Sequence, residues 1–267
     1  MKAQLHLALM QIDIAWEQVD DNLQHIEQQL TQLPAATEVV FLPEMFATGF
    51  SMDVEKLAEP MDGRIVQWMK TQAARHRTIL CGSVMIRDQG QFWNRLIWMQ
   101  PDGKYGIYDK RHLFAYAGED KHYKPGNRQL IAQVNGWRVA LYVCYDLRFP
   151  VWCAQQPTDD GAPAYDVLAV VASWPSSRIE AWDLLLRARA LENQAYAVGV
   201  NRVGKEPHGT LYPGHSAVIG PAGQVLHQAS SGQEAVICCT LEAHQLQQVR
   251  QHHPFLRDRD HFTILNC

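Results

Sequence analysis

The chain has 267 residues, 47% of them hydrophobic, and 24 Lys and Arg against 28 Asp and Glu give a formal net charge of −4. That is enough to bury a sizeable core, and neither the charge nor any apolar run points to a nucleic-acid or membrane partner. No Pro/Gly/Ser-rich linker or charge block divides the chain, so residues 1–267 are expected to form a single domain. Residues 3–13 read as a strand: Leu5, Leu7 and Leu9 alternate, and Gln4, His6, Gln11 and Asp13 interrupt any leader-like run. Val19, Leu23, Ile26, Leu30 and Leu33 form one helical stripe that Pro34 ends. Glu38–Leu42 is a short apolar strand closed by Pro43 and followed by Glu44. A helix is expected from Asp62 to about Arg77, with Ile65, Trp68 and Met69 inward. Strands follow at 78–85, 92–99 and 104–109, the last two around the Pro101-Asp102-Gly103 turn.

Lys110 to Asn127 is long, polar and aperiodic, and such a loop inside a compact α/β domain is more often functional than idle. Leu130–Val134 and Val139–Val143 form a hairpin across Asn135-Gly136 that ends at Cys144. Pro150 suits the first turn of a helix just beyond. Residues 157–164 read as an exposed loop, and Asp166–Ala172 as a buried strand running into Ser173-Trp174-Pro175. Ser177-Arg-Ile-Glu180 has the spacing of a capping box, opening a helix with Ile179, Trp182, Leu186 and Ala190 on one face. Residues 195–200 form a strand and 204–214 a loop. Strands at 216–219, 225–227 and 234–240, a helix from 241 to about 252 and a tail from Pro254 to Cys267 complete the chain. This many strands with four or five helices implies mixed sheet covered by helices, and two sheets packed face to face fit the count.

The six cysteines, at 81, 144, 153, 238, 239 and 267, are irregularly spaced without a C-x-x-C, so reduced thiols and a cytoplasmic location are expected. Cys144 stands at a strand end ahead of a helix N-terminus, where backbone N–H groups and the helix dipole favour the thiolate. Taken alone, it fits equally well as a small buried hydrophobe. Glu44, Lys110 and Cys144 each follow a strand, and α/β sites gather at the carboxyl ends of strands. A thiolate to attack, a carboxylate to move protons and an ammonium to meet an oxyanion could together do amide or nitrile chemistry.

Phe41-Leu-Pro-Glu44-Met-Phe, Tyr108-Asp-Lys110-Arg-His-Leu-Phe114 and Val143-Cys144-Tyr-Asp-Leu-Arg-Phe-Pro150 resemble, in order, the three motifs of the nitrilase (carbon–nitrogen hydrolase) superfamily. Gly118-Glu119 ahead of Lys124-Pro125-Gly126, Trp174-Pro175, the run from Leu186 to Asn193 and the segment from Gly214 resemble further parts of that family. The resemblance implies an αββα sandwich that pairs as a homodimer and needs neither metal nor organic cofactor. It implies Cys144 as nucleophile, Glu44 as general base, Lys110 as oxyanion partner, Glu119 as the residue holding the network, and the Tyr145 backbone N–H as a second oxyanion donor. The wording around Cys144 is similar to the ω-amidase branch, which hydrolyses the terminal amide of 2-oxoglutaramate and other short ω-amido acids through a thioester. N-carbamoyl amino acid hydrolysis and nitrile hydrolysis are the alternatives within the superfamily.

Phe46, Phe50, His112, Arg148 and Trp174 are candidate substrate contacts, and Arg111, Arg148 and Arg202 are candidate partners for a substrate carboxylate. Asp146 and Arg148, two apart, are expected to pair and tie the elbow together, which competes with a substrate role for Arg148. His112 and His215 are the candidates for a rival Cys–His pair, and His252-His253 reads as a solvated helix end rather than a metal site. Two non-enzymatic readings remain. A dimeric scaffold is disfavoured because Glu44, Lys110 and Cys144 are all present, and a redox sensor because Cys153 falls on the helix after Cys144.

Overall fold

The computed structural model describes residues 1–158 and 161–265. Asp159 and Asp160 of the expected 157–164 loop, and Asn266 and Cys267 of the tail, lie outside the described residues. The elements in order are β1 (Gln4–Gln11), α1 (Val19–Leu30), β2 (Val39–Phe41), α2 (Val54–Leu57), α3 (Arg64–His76), β3 (Ile79–Asp88), β4 (Gln91–Met99) and β5 (Tyr105–Asp109). The second half holds β6 (Ile131–Val134), β7 (Trp137–Val143), α4 (Pro150–Cys153), β8 (Val167–Ala172), α5 (Ile179–Asn193), β9 (Tyr196–Asn201), β10 (Val203–Lys205), β11 (Leu211–Pro213), β12 (Ala217–Ile219), β13 (Val225–Gln228), β14 (Ala235–Glu242) and α6 (Ala243–His252).

Two six-stranded sheets result, ordered β14-β1-β2-β3-β4-β5 and β13-β12-β9-β8-β7-β6, beside a small β10-β11 ribbon. Each large sheet is parallel at its centre and antiparallel at both edges: β1, β2 and β3 run parallel in one, β7, β8 and β9 in the other. The sheets pack face to face. One apolar cluster joins Leu5, Leu7, Leu9, Phe41 and Trp98 to Val139, Leu141, Val143 and Val170. The intervening residues Ala8, Met10, Val40 and Leu80 point the other way and meet Leu23, Ile26 and Leu30 of α1 and Ile65, Val66 and Met69 of α3. Because strand side chains alternate, a strand apolar at every position must be covered on both faces. On the second sheet α5 closes over β9, where Gly199 leaves room for Trp182 and Leu186. This is the αββα sandwich. Among the described residues, no helix is long and apolar enough to cross a membrane, and five cysteines are free.

Several expectations shift in detail. Residues 204–214 are not simply a loop: β10 and β11 pair there, and the glycines and prolines occupy a ribbon too short to show a period. The capping box at Ser177 is absent, because a 3-10 turn occupies Ser176–Arg178 and α5 starts at Ile179 with no side-chain cap. Helix α4, opened by Pro150 as expected, lasts only four residues.

Asp166 ties the second sheet to the C-terminal helix. Its oxygens accept from Arg138 Nη2 and Arg250 Nη1, both at 2.9 Å. Burial alone would raise its pKa, but the two guanidiniums outweigh that and hold it below the usual carboxylate value. A lowered folded-state pKa stabilises the fold above the unfolded carboxylate pKa, and the stabilisation is lost as pH falls through the folded value. Asp166→Asn should therefore cost about 3 kcal/mol at neutral pH, with the gap to wild type narrowing in thermal melts below roughly pH 4. A gap independent of pH would assign the loss to packing instead.

Candidate active site

The three strand-end residues converge. Glu44 lies in the turn beyond β2, Lys110 directly follows β5, and Cys144 directly follows β7. Lys110 Nζ donates to Glu44 Oε1 at 2.8 Å and to Glu119 Oε2 at 2.8 Å, and all three side chains are fully buried. Glu119 stands in a 3-10 turn, Glu119–Lys121, within the long polar loop, and its Oε2 accepts from the Phe114 backbone N–H at 2.5 Å. The loop reaches the strand end because Gly126, whose N–H donates to the Lys110 carbonyl, has no Cβ to strike the Asp109 carbonyl.

Two residues not singled out by sequence complete the network. Asn94, on β4 and fully buried, donates through Nδ2 to Glu44 Oε1 at 2.8 Å and Glu119 Oε1 at 3.0 Å. The Ser173 N–H donates to Glu44 Oε2 at 2.9 Å. Asn94 was invisible because a polar residue in the strand pattern carries no motif of its own.

Burial alone would lower the Lys110 pKa, but Glu119 and Glu44 outweigh it and push it well above its ordinary value. Burial and the nearby Glu44 raise that of Glu119 against the pull of Lys110. One ammonium faces two carboxylates, so the cluster carries a surplus negative charge that a proton can satisfy.

Cys144 opens a five-residue 3-10 turn, Cys144–Arg148, and its own φ is +46°, a strained backbone for a residue with a Cβ. Asp146 holds that turn. Its carboxylate accepts from Tyr108 OH at 2.7 Å, the Val143 N–H at 3.1 Å and the His112 N–H at 2.9 Å, with His112 Nδ1 at 2.8 Å. Asp146 is thus spent on the elbow, and the expected Asp146–Arg148 ion pair does not form. The expected lowering of the thiol pKa is also reversed. Burial and the Glu44 carboxylate push the Cys144 thiol well up, Lys110 opposes them, and the short turns after it form no long helix dipole. The thiol donates to the Ser173 carbonyl at 3.9 Å.

Cys144 opens into a cleft of about 680 Å³. Phe50, Tyr145, Arg148 and Trp174 line it, as do Ser173, Phe114, Tyr116 and Arg178. The β10–β11 ribbon, the element that read as loop, supplies Glu206, His208 and Tyr212 to its wall. Other candidates lie elsewhere. Phe46 is fully buried in the core between the first sheet and α3, 6.0 Å from the Trp68 ring. His112 stacks on Phe149 at 3.7 Å and is held by Asp146. His215 pairs with Asp183 at 2.8 Å. Neither histidine lines the cleft, which removes the geometry for the Cys–His reading.

The arginines also sort themselves. Arg202 is fully buried and committed to Glu206, the Ile14 carbonyl and Asp13. Arg111 lies 4.7 Å from the Trp152 ring, away from the cleft. Arg148 remains in the cleft, its guanidinium 5.0 Å from the Trp174 ring. Among the described residues no group of three His, Cys, Asp or Glu is placed to hold a metal ion.

Comparison with known proteins agrees with this architecture. The carbon-nitrogen hydrolase family model matches residues 6–251. An omega-amidase, YafV, of Yersinia enterocolitica is 39% identical over 261 residues, 98% of this chain and 99% of that protein. A 2-oxoglutaramate amidase of Bacillus subtilis is 30% identical over 256 residues, covering 94% of this chain and 96% of the other. A CN-hydrolase superfamily protein of Xanthomonas campestris, crystallised with an arsenic adduct in its active site, superposes with a TM-score of 0.96 at 39% identity, over 98% of this chain and all of that one. The chain therefore belongs to the carbon–nitrogen hydrolase family of the nitrilase superfamily, in its omega-amidase branch, and is a hydrolase of carbon–nitrogen bonds.

Proposed function

We propose that this enzyme releases ammonia from the terminal amide of a short ω-amido acid such as 2-oxoglutaramate or succinamate. The observation that carries the reading is the Cys144 thiol at the cleft floor beside a Lys110 ammonium sealed between Glu44 and Glu119. Glu44 takes the thiol proton as the sulfur attacks the amide carbon. The oxyanion that forms is met by the Lys110 ammonium and the Tyr145 backbone N–H. Glu44 returns the proton to the leaving nitrogen, ammonia departs, and a thioester remains on Cys144. Glu44 then deprotonates water, which attacks the thioester; the acid leaves and the thiol is restored. Glu119 and Asn94 keep the Lys110 and Glu44 side chains in place. No step calls on a cofactor.

The relatives named for omega-amidase and 2-oxoglutaramate amidase activity support this substrate class, as does the Arg148 guanidinium, which lines the cleft over Trp174. A half-buried guanidinium left without its carboxylate is costly, so the site should discriminate against neutral amides. The expected result is a kcat/KM for 2-oxoglutaramate or succinamate at least about a hundredfold above that for butyramide, the scale of one buried charged contact. Equal rates, or preference for N-carbamoyl amino acids or nitriles, would refute the ω-amide assignment and leave the thiol chemistry standing.

A further inference from the structure

Most buried and half-buried arginines of this protein are paired with acids. Arg95 has Asp88 and Asp109, Arg138 and Arg250 share Asp166, Arg189 has Glu192, and Arg202 has Glu206. Among the described residues, three half-buried arginines depart from this pattern: Arg259, which donates to the Leu256 carbonyl away from the site, and Arg148 and Arg178, which both line the Cys144 cleft. Arg148 lies over Trp174. Arg178 lies 5.0 Å from the Phe114 ring centroid and 5.8 Å from that of Tyr116. Among the described residues, neither guanidinium has a carboxylate within ion-pair distance. The glutamates of the same cleft are already occupied: Glu17 by Ser51 and Lys56, Glu206 by Arg202 and Tyr212.

A guanidinium stacked on an aromatic face keeps its in-plane N–H donors for a planar oxyanion, and the stacking fixes its orientation beforehand. The 3-10 turn Ser176–Arg178 sets Arg178 ahead of α5, and the Trp174 indole N–H donates to the Arg178 carbonyl at 2.8 Å, which ties the turn to the cleft floor.

We propose that Arg178 is a specificity-determining residue that, with Arg148, grips the distal carboxylate of the substrate from a second loop. The proposal rests on the ω-amide reading above and adds the residue that enforces it. Two guanidiniums from separate turns suit an acid flanked by a further acceptor, such as a 2-oxo carboxylate.

The test compares succinamate, butyramide and 5-aminopentanamide on wild type, Arg178→Ala, Arg178→Lys and Arg178→Glu. In Arg178→Ala the succinamate-to-butyramide ratio of kcat/KM should fall at least about tenfold, with the loss in KM rather than kcat, because the contact is equal in ground and transition states. Arg178→Lys should restore part of the ratio, and Arg178→Glu should raise the rate on 5-aminopentanamide relative to succinamate at least about tenfold. A structural role would lower all three substrates together. Unchanged ratios in Arg178→Ala and Arg178→Glu would overturn the proposal, as would variants too unstable to assay when Arg178→Lys is equally unstable. A wild-type enzyme with no preference for succinamate would instead overturn the ω-amide reading itself.

Discussion

Cys144→Ala should fold normally and release no ammonia above the uncatalysed background. The thiol is buried at the head of a strained turn whose shape is held by Asp146, not by the sulfur, so deleting the sulfur leaves the elbow's hydrogen bonds in place. What it removes is the only bond-forming atom of the mechanism. On the proposed mechanism Lys110 would still polarise an amide, but water would have to attack it directly. The thermal midpoint should stay within a few degrees of wild type while kcat falls by at least about four orders of magnitude, as when a covalent nucleophile is deleted elsewhere. Residual activity near the wild-type level would remove Cys144 from the chemistry.

Lys110→Ala and Glu44→Gln should each lose a hundred- to a thousandfold in kcat. Loss of one preorganised oxyanion donor costs about 2.7–4 kcal/mol in the barrier, and loss of a general base costs a comparable factor. The two losses have different signatures. Glu44→Gln keeps a neutral amide among the Lys110, Asn94 and Ser173 donors but cannot take the thiol proton, which in the resting enzyme is held tightly. Its acylation rate should therefore rise with pH as hydroxide substitutes for the base. Lys110→Ala leaves two buried carboxylates facing one another, so it should also lower stability, and the size of that loss should track the protonation of the pair. His112→Ala, which perturbs only a partner of Asp146, should lose far less than either. A dead His112→Ala with an active Lys110→Ala would restore the Cys–His reading.

The convergence of Glu44, Lys110 and Cys144 was legible in the sequence because each follows a segment that reads as a strand, and strand ends in such sheets share one rim. Glu119 was legible only through the family resemblance, since nothing in an aperiodic loop says which carboxylate turns inward. Arg178 was hidden by its own segment: Ser177 and Glu180 stand at capping-box spacing, and only the 3-10 turn after Pro175 shows that the helix begins later. Arg202 and His112 looked equally available as polar residues near motifs. The commitment of Arg202 to Asp13 and the Ile14 carbonyl, and of His112 to Asp146, depends on contacts between segments distant in sequence, which a local pattern does not carry. The sign of the thiol shift failed for the same reason: the helix dipole is a local inference, while the burial and the Glu44 charge that dominate come from the opposite sheet.

The central claim is that the acyl group of the amide passes through Cys144. Wild-type enzyme mixed with succinamate, quenched in acid within milliseconds and measured by intact-mass spectrometry should carry one added acyl group, removable by hydroxylamine and mapped to the peptide that contains Cys144. An adduct on another residue, or no adduct at any time during rapid turnover of enzyme whose deacylation has been slowed by low temperature, would contradict it.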